Sequence, residues 1–410
     1  MSKTEELLLD CLKRNPQCPE RAATDSLRAS DWHQLLDLAT AQRVPALLYH
    51  RLKAKQLDHL LPEEVKTAFR KAHRETTMRN MSFYGELRRL GAALREDRVP
   101  LLVLKGMYLA QEVYGNIGVR EMNDIDALAQ LHHLGRIVEK LDSLGYAPER
   151  PFSIENILQV WSHLPRFINP GRAGIEIHWN LTVPTETYTI DPAELWQRAV
   201  QVELAGGGFR ALCPEDMLLH LCLHSAYRHQ FAFGLRPSCD IAELLAHSGG
   251  DIRWKCVLDR AKRWGCRRGV YVALRLAKEI VDADVPDHVL TRLRPAEFDE
   301  AIAETAMALA LTDARLASTV PVPIANLLGT KGTWALVKLL ANRVFLSKKL
   351  MATVYPAAPD SLKIYWYYPI RVVDLLTRHG RTMRKVRDNE PELIRLAERK
   401  RTIDRFLLGG

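Results

Sequence analysis

Two aspartates one residue apart, Asp124 and Asp126, are the side chains of this 410-residue chain whose type and spacing most directly imply chemistry. They lie in NDIDAL, where an extended backbone turns residues two apart to one face and sends Ile125 to the other. Two carboxylates aimed at one point repel each other unless a cation sits between them. Hard Mg²⁺, or Mn²⁺ in its place, is the natural partner, with a phosphate-bearing substrate. A third carboxylate, Glu176, stands between isoleucines in GIEIHW and shares its face with His178. Taken alone, the Asp-Ile-Asp triplet is more simply read as two solvated carboxylates at a strand end.

The elements that position these groups follow from periodicity. Leu101 to Leu104 reads as a buried strand, Lys105-Gly106 as a turn, and the next residues as a short helix carrying Tyr108 and Tyr114. After the Asp-bearing strand, LHHLGRIVEKLDSLGY is a helix ended by Gly145, and SIENILQVWSHLP is a second one. Asn169-Pro170-Gly171 then marks a hairpin between two extended arms, the second bearing Glu176. Before the core, residues 1–98 read as helical. Asp31 is expected as an N-cap, Pro62 opens a long helix with Phe83, Leu87, Leu90 and Leu94 on its buried face, and Tyr84 is expected on its surface. From Asp191 the pattern is helical again, with Pro192 and Pro214 at first-turn positions and GGGFRALC as one further short strand.

Composition sets the frame. With 47% hydrophobic residues the chain buries a core easily, and its seven scattered cysteines, among them Cys18 and Cys222, form no C-x-x-C pair, which argues against disulfide frameworks and thiolate zinc. The start of the sequence has no signal-peptide pattern and no apolar run spans a bilayer, so a cytoplasmic location is expected, with peripheral membrane contact as an addition. The formal charge of +9 is concentrated at the end: residues 331–410 hold 17 Lys and Arg against 7 Asp and Glu. Such a segment attracts an anionic partner, a membrane surface or nucleic acid, or is simply a solvated helical surface. The aromatic group Tyr365 to Tyr368 reads as helix packing or as a membrane-interface belt, packing being the simpler of the two. His220 and His224, four apart, share a helix face that zinc could use, but no H-E-x-x-H or convincing fourth ligand accompanies them.

Leu104-Lys105-Gly106, then R-x-x-x-D-I-D from Arg120 to Asp126, then Ile175-Glu176-Ile177-His178-Trp179 together resemble the uncharacterised nucleotidyltransferases of the polymerase-β-like superfamily. The resemblance covers roughly Leu90 to Leu181 by motif and extends less sharply through the helical PEDMLLHLCLH and CDIAELL segments. It implies an α+β fold, a small mixed sheet flanked by helices on both sides, in which Asp124, Asp126 and Glu176 hold two metals. It also implies nucleotide contacts from Lys105, Gly106, Arg120 and Asn123, with His178 and Asp240 in support. From the residues themselves, Lys105 is equally a surface lysine, Arg120 a partner for Glu121 or an aspartate, Asn123 a turn cap, His178 a packed histidine and Asp240 an N-cap. The chain departs from the superfamily at the glycine turn, where Lys105-Gly106-Met107 replaces the usual small pair.

The expected organisation is a helical region over 1–79, the nucleotidyltransferase core over 80–185, a packing helical domain over 186–320 and a basic, aromatic-rich end over 321–410. The expected reaction is Mg²⁺-dependent transfer of a nucleoside monophosphate from an NTP to an unidentified acceptor hydroxyl or phosphate. The rivals are a silent binding or scaffold protein that keeps the fold, and an enzyme directed to nucleic acid by its basic end.

Overall fold

The computed structural model describes residues 2–14, 27–328, 333–387 and 390–409. Cys18, Lys331 and Asp388, counted above, lie outside them. Seven strands form one mixed sheet: β1 Leu102–Val103, β2 Asp124–Leu128, β3 Ala147–Pro148, β4 Phe167–Ile168, β5 Gly174–His178, β6 Val200–Leu204 and β7 Gly207–Ala211. Their order is β3-β4-β5-β2-β1-β7-β6. The central pair β2 and β5 is parallel, β1 is antiparallel to β2, and β7 joins β1 in parallel. The fold is α+β, as the sequence implied.

Strand alternation splits the sheet into two unlike faces. Val103, Ile125, Ala127, Ile175 and Ile177 are fully buried and pack with Phe83, Leu87, Leu90 and Leu94 of the helix Glu63–Arg95. Burying one such side chain contributes roughly 1.5–3 kcal/mol, so this face fixes the register of β2 against β5. Leu102, Leu104 and Leu128 point the other way, into a larger core with the helices Pro214–Leu223, Arg236–His247 and Arg267–Val281. Asp124, Asp126, Glu176 and His178 share that second face, where the sheet and the helices part to leave a cleft.

Several local expectations are corrected by packing. Lys105-Gly106 is no turn: the strand passes straight into a helix Lys105–Tyr108 that continues as a π-turn Leu109–Val113. Asp31 is the third residue of the helix Ala29–Ala41, and its carboxylate accepts from the N–H of Arg28, the true N-cap. Tyr84 is buried, its hydroxyl donating to the carbonyl of Met107 at 2.6 Å. The strand expected before Pro214 is one arm of a hairpin whose other arm is β6. Ala205 and Gly206, both at positive φ, make its two-residue turn, so the sheet draws its last strands from residues 200–211. The aromatic segment lies in the helix Lys363–Arg387 and divides: Tyr367 stacks on Tyr355 and Tyr368 packs on Phe345, while Tyr365 and Trp366 are exposed.

Candidate metal and nucleotide cleft

Parallel pairing of β2 with β5 sets Asp126 directly beside Glu176 and Leu128 beside His178. The ring Nε2 of His178 lies 3.1 Å from Asp126 Oδ1 and 3.8 Å from Glu176 Oε2. One donor atom from each of Asp126, Glu176 and His178 comes within 4.8 Å of the other two. Asp124 is on the same face one pleat earlier, opposite Gly174 and outside that group. On the fourth side, Lys105 Nζ is 3.1 Å from Asp126 Oδ2 and 2.9 Å from His224 Nε2.

The charges explain the ionisation of the carboxylates. Burial pushes Asp124 up, and the Asp126 charge adds to it. Glu176 is raised for the same two reasons in the same order. Asp126 is itself pushed up by burial, but Lys105 and His178 outweigh this and hold it well below the usual carboxylate range. The cleft therefore keeps one carboxylate held low beside two that burial and the Asp126 charge raise, with nearby cations offsetting only part of the rise.

All nine residues singled out from the sequence line one cleft of about 350 Å³: Lys105, Gly106, Arg120, Asn123, Asp124, Asp126, Glu176, His178 and Asp240. Their situations differ. Arg120 is buried and committed to Asp240, its Nε and Nη2 each 2.8 Å from a carboxylate oxygen, and Tyr114 donates to Asp240 at 3.0 Å. Asp240, expected to open its helix, sits inside Arg236–His247 and reaches the cleft through this pair. Asn123 is exposed at the rim, its carbonyl accepting from Arg166. Gly106 is needed small: a Cβ there would lie 3.1 Å from Met122 Sδ and 3.2 Å from Arg120 Nη1.

Sequence reasoning noted the histidines of the wall facing the carboxylates but not their place in the site, and missed Arg228, Phe233 and Arg236. His224, Arg228, His229 and Phe233 come from the segment between the helices Pro214–Leu223 and Arg236–His247, and Arg236 opens the second of these. His163 adds a third element, in an isolated bridge beside His178. His220 and His224 share a helix face as spaced, yet each is neutral, since burial and then Lys105 depress both, His220 to about 3. His229 stacks on Phe233 with centroids 3.9 Å apart. The only signal for this wall was its density of histidine and arginine; a loop's approach to a sheet is not written in local periodicity.

No helix among the described residues is long and apolar enough to cross a membrane. No curated protein and no solved structure matches the chain. Residues 28–282, which hold the whole sheet and every cleft residue named above, match the family described as uncharacterised nucleotidyltransferase, and the chain belongs to that family.

Proposed function

We propose that this protein transfers a nucleoside monophosphate from an NTP to an acceptor hydroxyl or phosphate, with Mg²⁺ or Mn²⁺ as cofactor. The observation that carries the reading is the in-register pairing of Asp126 with Glu176, closed by His178, at the base of the cleft. The two carboxylates fit Mg²⁺ or Mn²⁺, and the imidazole beside them favours Mn²⁺ over Mg²⁺ as a direct ligand. Burial and mutual repulsion raise Asp124 and Glu176, which a cation between them would relieve. Asp126, Glu176 and His178 would hold such an ion, with Asp124 beside them, and it would supply charge neutralisation on the transferring phosphate.

The chain's own residues do the rest. Lys105, held between Asp126 and His224, places an ammonium at the carboxylate edge where phosphate oxygens arrive. Gly106 keeps the following backbone close to Met122 and Arg120, which narrows the cleft. The Arg120–Asp240 pair braces the helical wall against the segment leading to β2. In the transfer, an acceptor oxygen bonds to the α-phosphorus, the bond from that phosphorus to the bridging oxygen breaks, pyrophosphate leaves, and the acceptor's proton passes to water. Phosphoryl-type chemistry asks mainly for positioning and charge neutralisation, which these groups provide. Metal-dependent NTP binding that is lost in Asp126→Asn tests the reading; a scaffold that has merely kept the fold would show neither.

We propose in addition that the end of the chain meets an anionic membrane surface. Trp366, Ile370, Val373 and Leu376 recur at three and four along the helix Lys363–Arg387, all exposed, and Trp366 is 78% exposed. Exposed Lys363 begins the same helix, and exposed Lys348, from the helix Lys348–Val354, stands over the Tyr365 ring at 4.9 Å. An apolar stripe with tryptophan and flanking lysines suits an anionic headgroup layer.

A further inference from the structure

Not all of the cleft's cationic side chains are paired with its carboxylates. Four cationic side chains line it: Lys105, Arg120, Arg228 and Arg236. Lys105 faces Asp126 and Arg120 is locked to Asp240. Arg228 and Arg236 have no carboxylate partner within salt-bridge distance among the described residues; their bonds go to the Ser162 hydroxyl at 3.3 Å and the Glu121 carbonyl at 2.8 Å. Arg236 is the more unusual of the two. It is 9% exposed, and its Nε has no hydrogen-bond partner. A buried guanidinium without a carboxylate is costly to keep, and burial first, then the Arg120 charge, drags it down to about 10.

The fold holds it there nonetheless. Arg236 packs on one ring of the wall, its guanidinium carbon 4.8 Å from the Phe233 centroid, while Arg43 covers the same ring at 4.3 Å. Gly234, at φ +77, lets the backbone between them press on Gln42, whose carbonyl oxygen would be 2.5 Å from any Cβ. Arg236 also lies close enough to Asp124 to offset part of the rise in that carboxylate. A forked donor with an unused N–H, opposite a carboxylate site, matches a phosphate in shape and charge.

We infer that Arg236, in depth, and Arg228, exposed at the mouth, form a phosphoanion subsite that takes the polyphosphate of the donor nucleotide, the part that leaves as pyrophosphate. The inference rests on the nucleotidyltransferase reading. It also supplies what Lys105-Gly106-Met107 lacks: the grip on the triphosphate moves from the first helix of the core to the wall opposite. An acceptor's phosphate is the other source of the same chemistry, and binding measurements separate them.

The test is calorimetric binding of inorganic pyrophosphate, of each of the four ribonucleoside triphosphates and of their monophosphates, with Mn²⁺, to wild type, Arg236→Met and Arg228→Met. Pyrophosphate and triphosphate affinity falls tenfold or more in Arg236→Met, and less in Arg228→Met, while monophosphate affinity is unchanged. Arg236→Met melts at the same temperature or higher, because an unpaired buried charge is gone, whereas a merely structural arginine would lower it; Arg236→Lys restores part of the binding. If wild type binds triphosphate and both methionine variants bind it equally, the subsite is refuted while the enzyme reading stands. Loss of monophosphate and triphosphate binding in equal measure assigns the arginines to another phosphate and refutes the polyphosphate assignment. If wild type binds neither pyrophosphate nor any nucleotide, the enzyme reading fails and the subsite with it.

Discussion

Asp126 and Glu176, fifty residues apart in sequence, occupy paired positions on adjacent parallel strands, with His178 closing the angle between them. The pairing is not local: it exists because Ile125, Ile175 and Ile177 bury the opposite face under one long helix. A one-residue slip of β5 would turn Glu176 into the core and an isoleucine into the cleft. The chemistry of the site is therefore fixed by the hydrophobic pattern that makes the fold.

Arg120 and Asp240 form a fully buried bidentate pair, and Arg120→Met leaves the Asp240 charge without its partner. A loss of about 3–5 kcal/mol in urea-denaturation stability is expected. The double variant Arg120→Met with Asp240→Leu recovers most of it. A single variant as stable as wild type would show that the pair does not brace the wall.

Gly234 at φ +77 meets the Gln42 carbonyl. Gly234→Ala combines a disfavoured backbone with a steric clash and is expected to cost about 1–3 kcal/mol. Chemical denaturation measures it, and a neutral result would contradict the described approach.

Glu215 supplies a pH dependence away from the cleft. Burial pushes it up, but bonds from Arg253, the helix backbone and Cys213 hold it down at about 2, against 4.5 for a free glutamate. Its stabilising effect is thus complete above pH 4.5 and is lost as pH falls towards 2. Thermal melts from pH 7 to 2.5 should show Glu215→Gln less stable at neutral pH, with the gap from wild type closing below pH 4.5. A gap independent of pH would exclude the ion pair as the cause.

The exposed stripe on the helix Lys363–Arg387 predicts sedimentation of the full chain with vesicles of phosphatidylglycerol and little with phosphatidylcholine alone. Trp366→Ser with Val373→Ser should weaken it at least fivefold. Self-association of the wild type in the absence of lipid, lost in the same variant, would point instead to a second copy on this face.

Much of this arrangement was legible in the sequence. Alternation in NDIDAL and GIEIHW gave the faces of β2 and β5, and the Asn-Pro-Gly cluster gave the hairpin before β5. Local signals ran out where partners came from afar. Asp240 looks like a cap, yet it sits in a helix interior and pairs with Arg120, 120 residues away. Two-residue strands such as β3 have no period to read. Arg228 and Arg236 acquire meaning only when the chain folds them across from the carboxylates. The family resemblance named the carboxylates but not that wall.

The central claim is most directly tested by titrating NTP into the full chain with and without Mn²⁺, in wild type and in Asp126→Asn, by calorimetry. Saturable, Mn²⁺-dependent binding in wild type, weakened at least tenfold in Asp126→Asn with the variant still folded and melting cooperatively, is the expected result. No binding in wild type, or the same metal-independent binding in both, would contradict it.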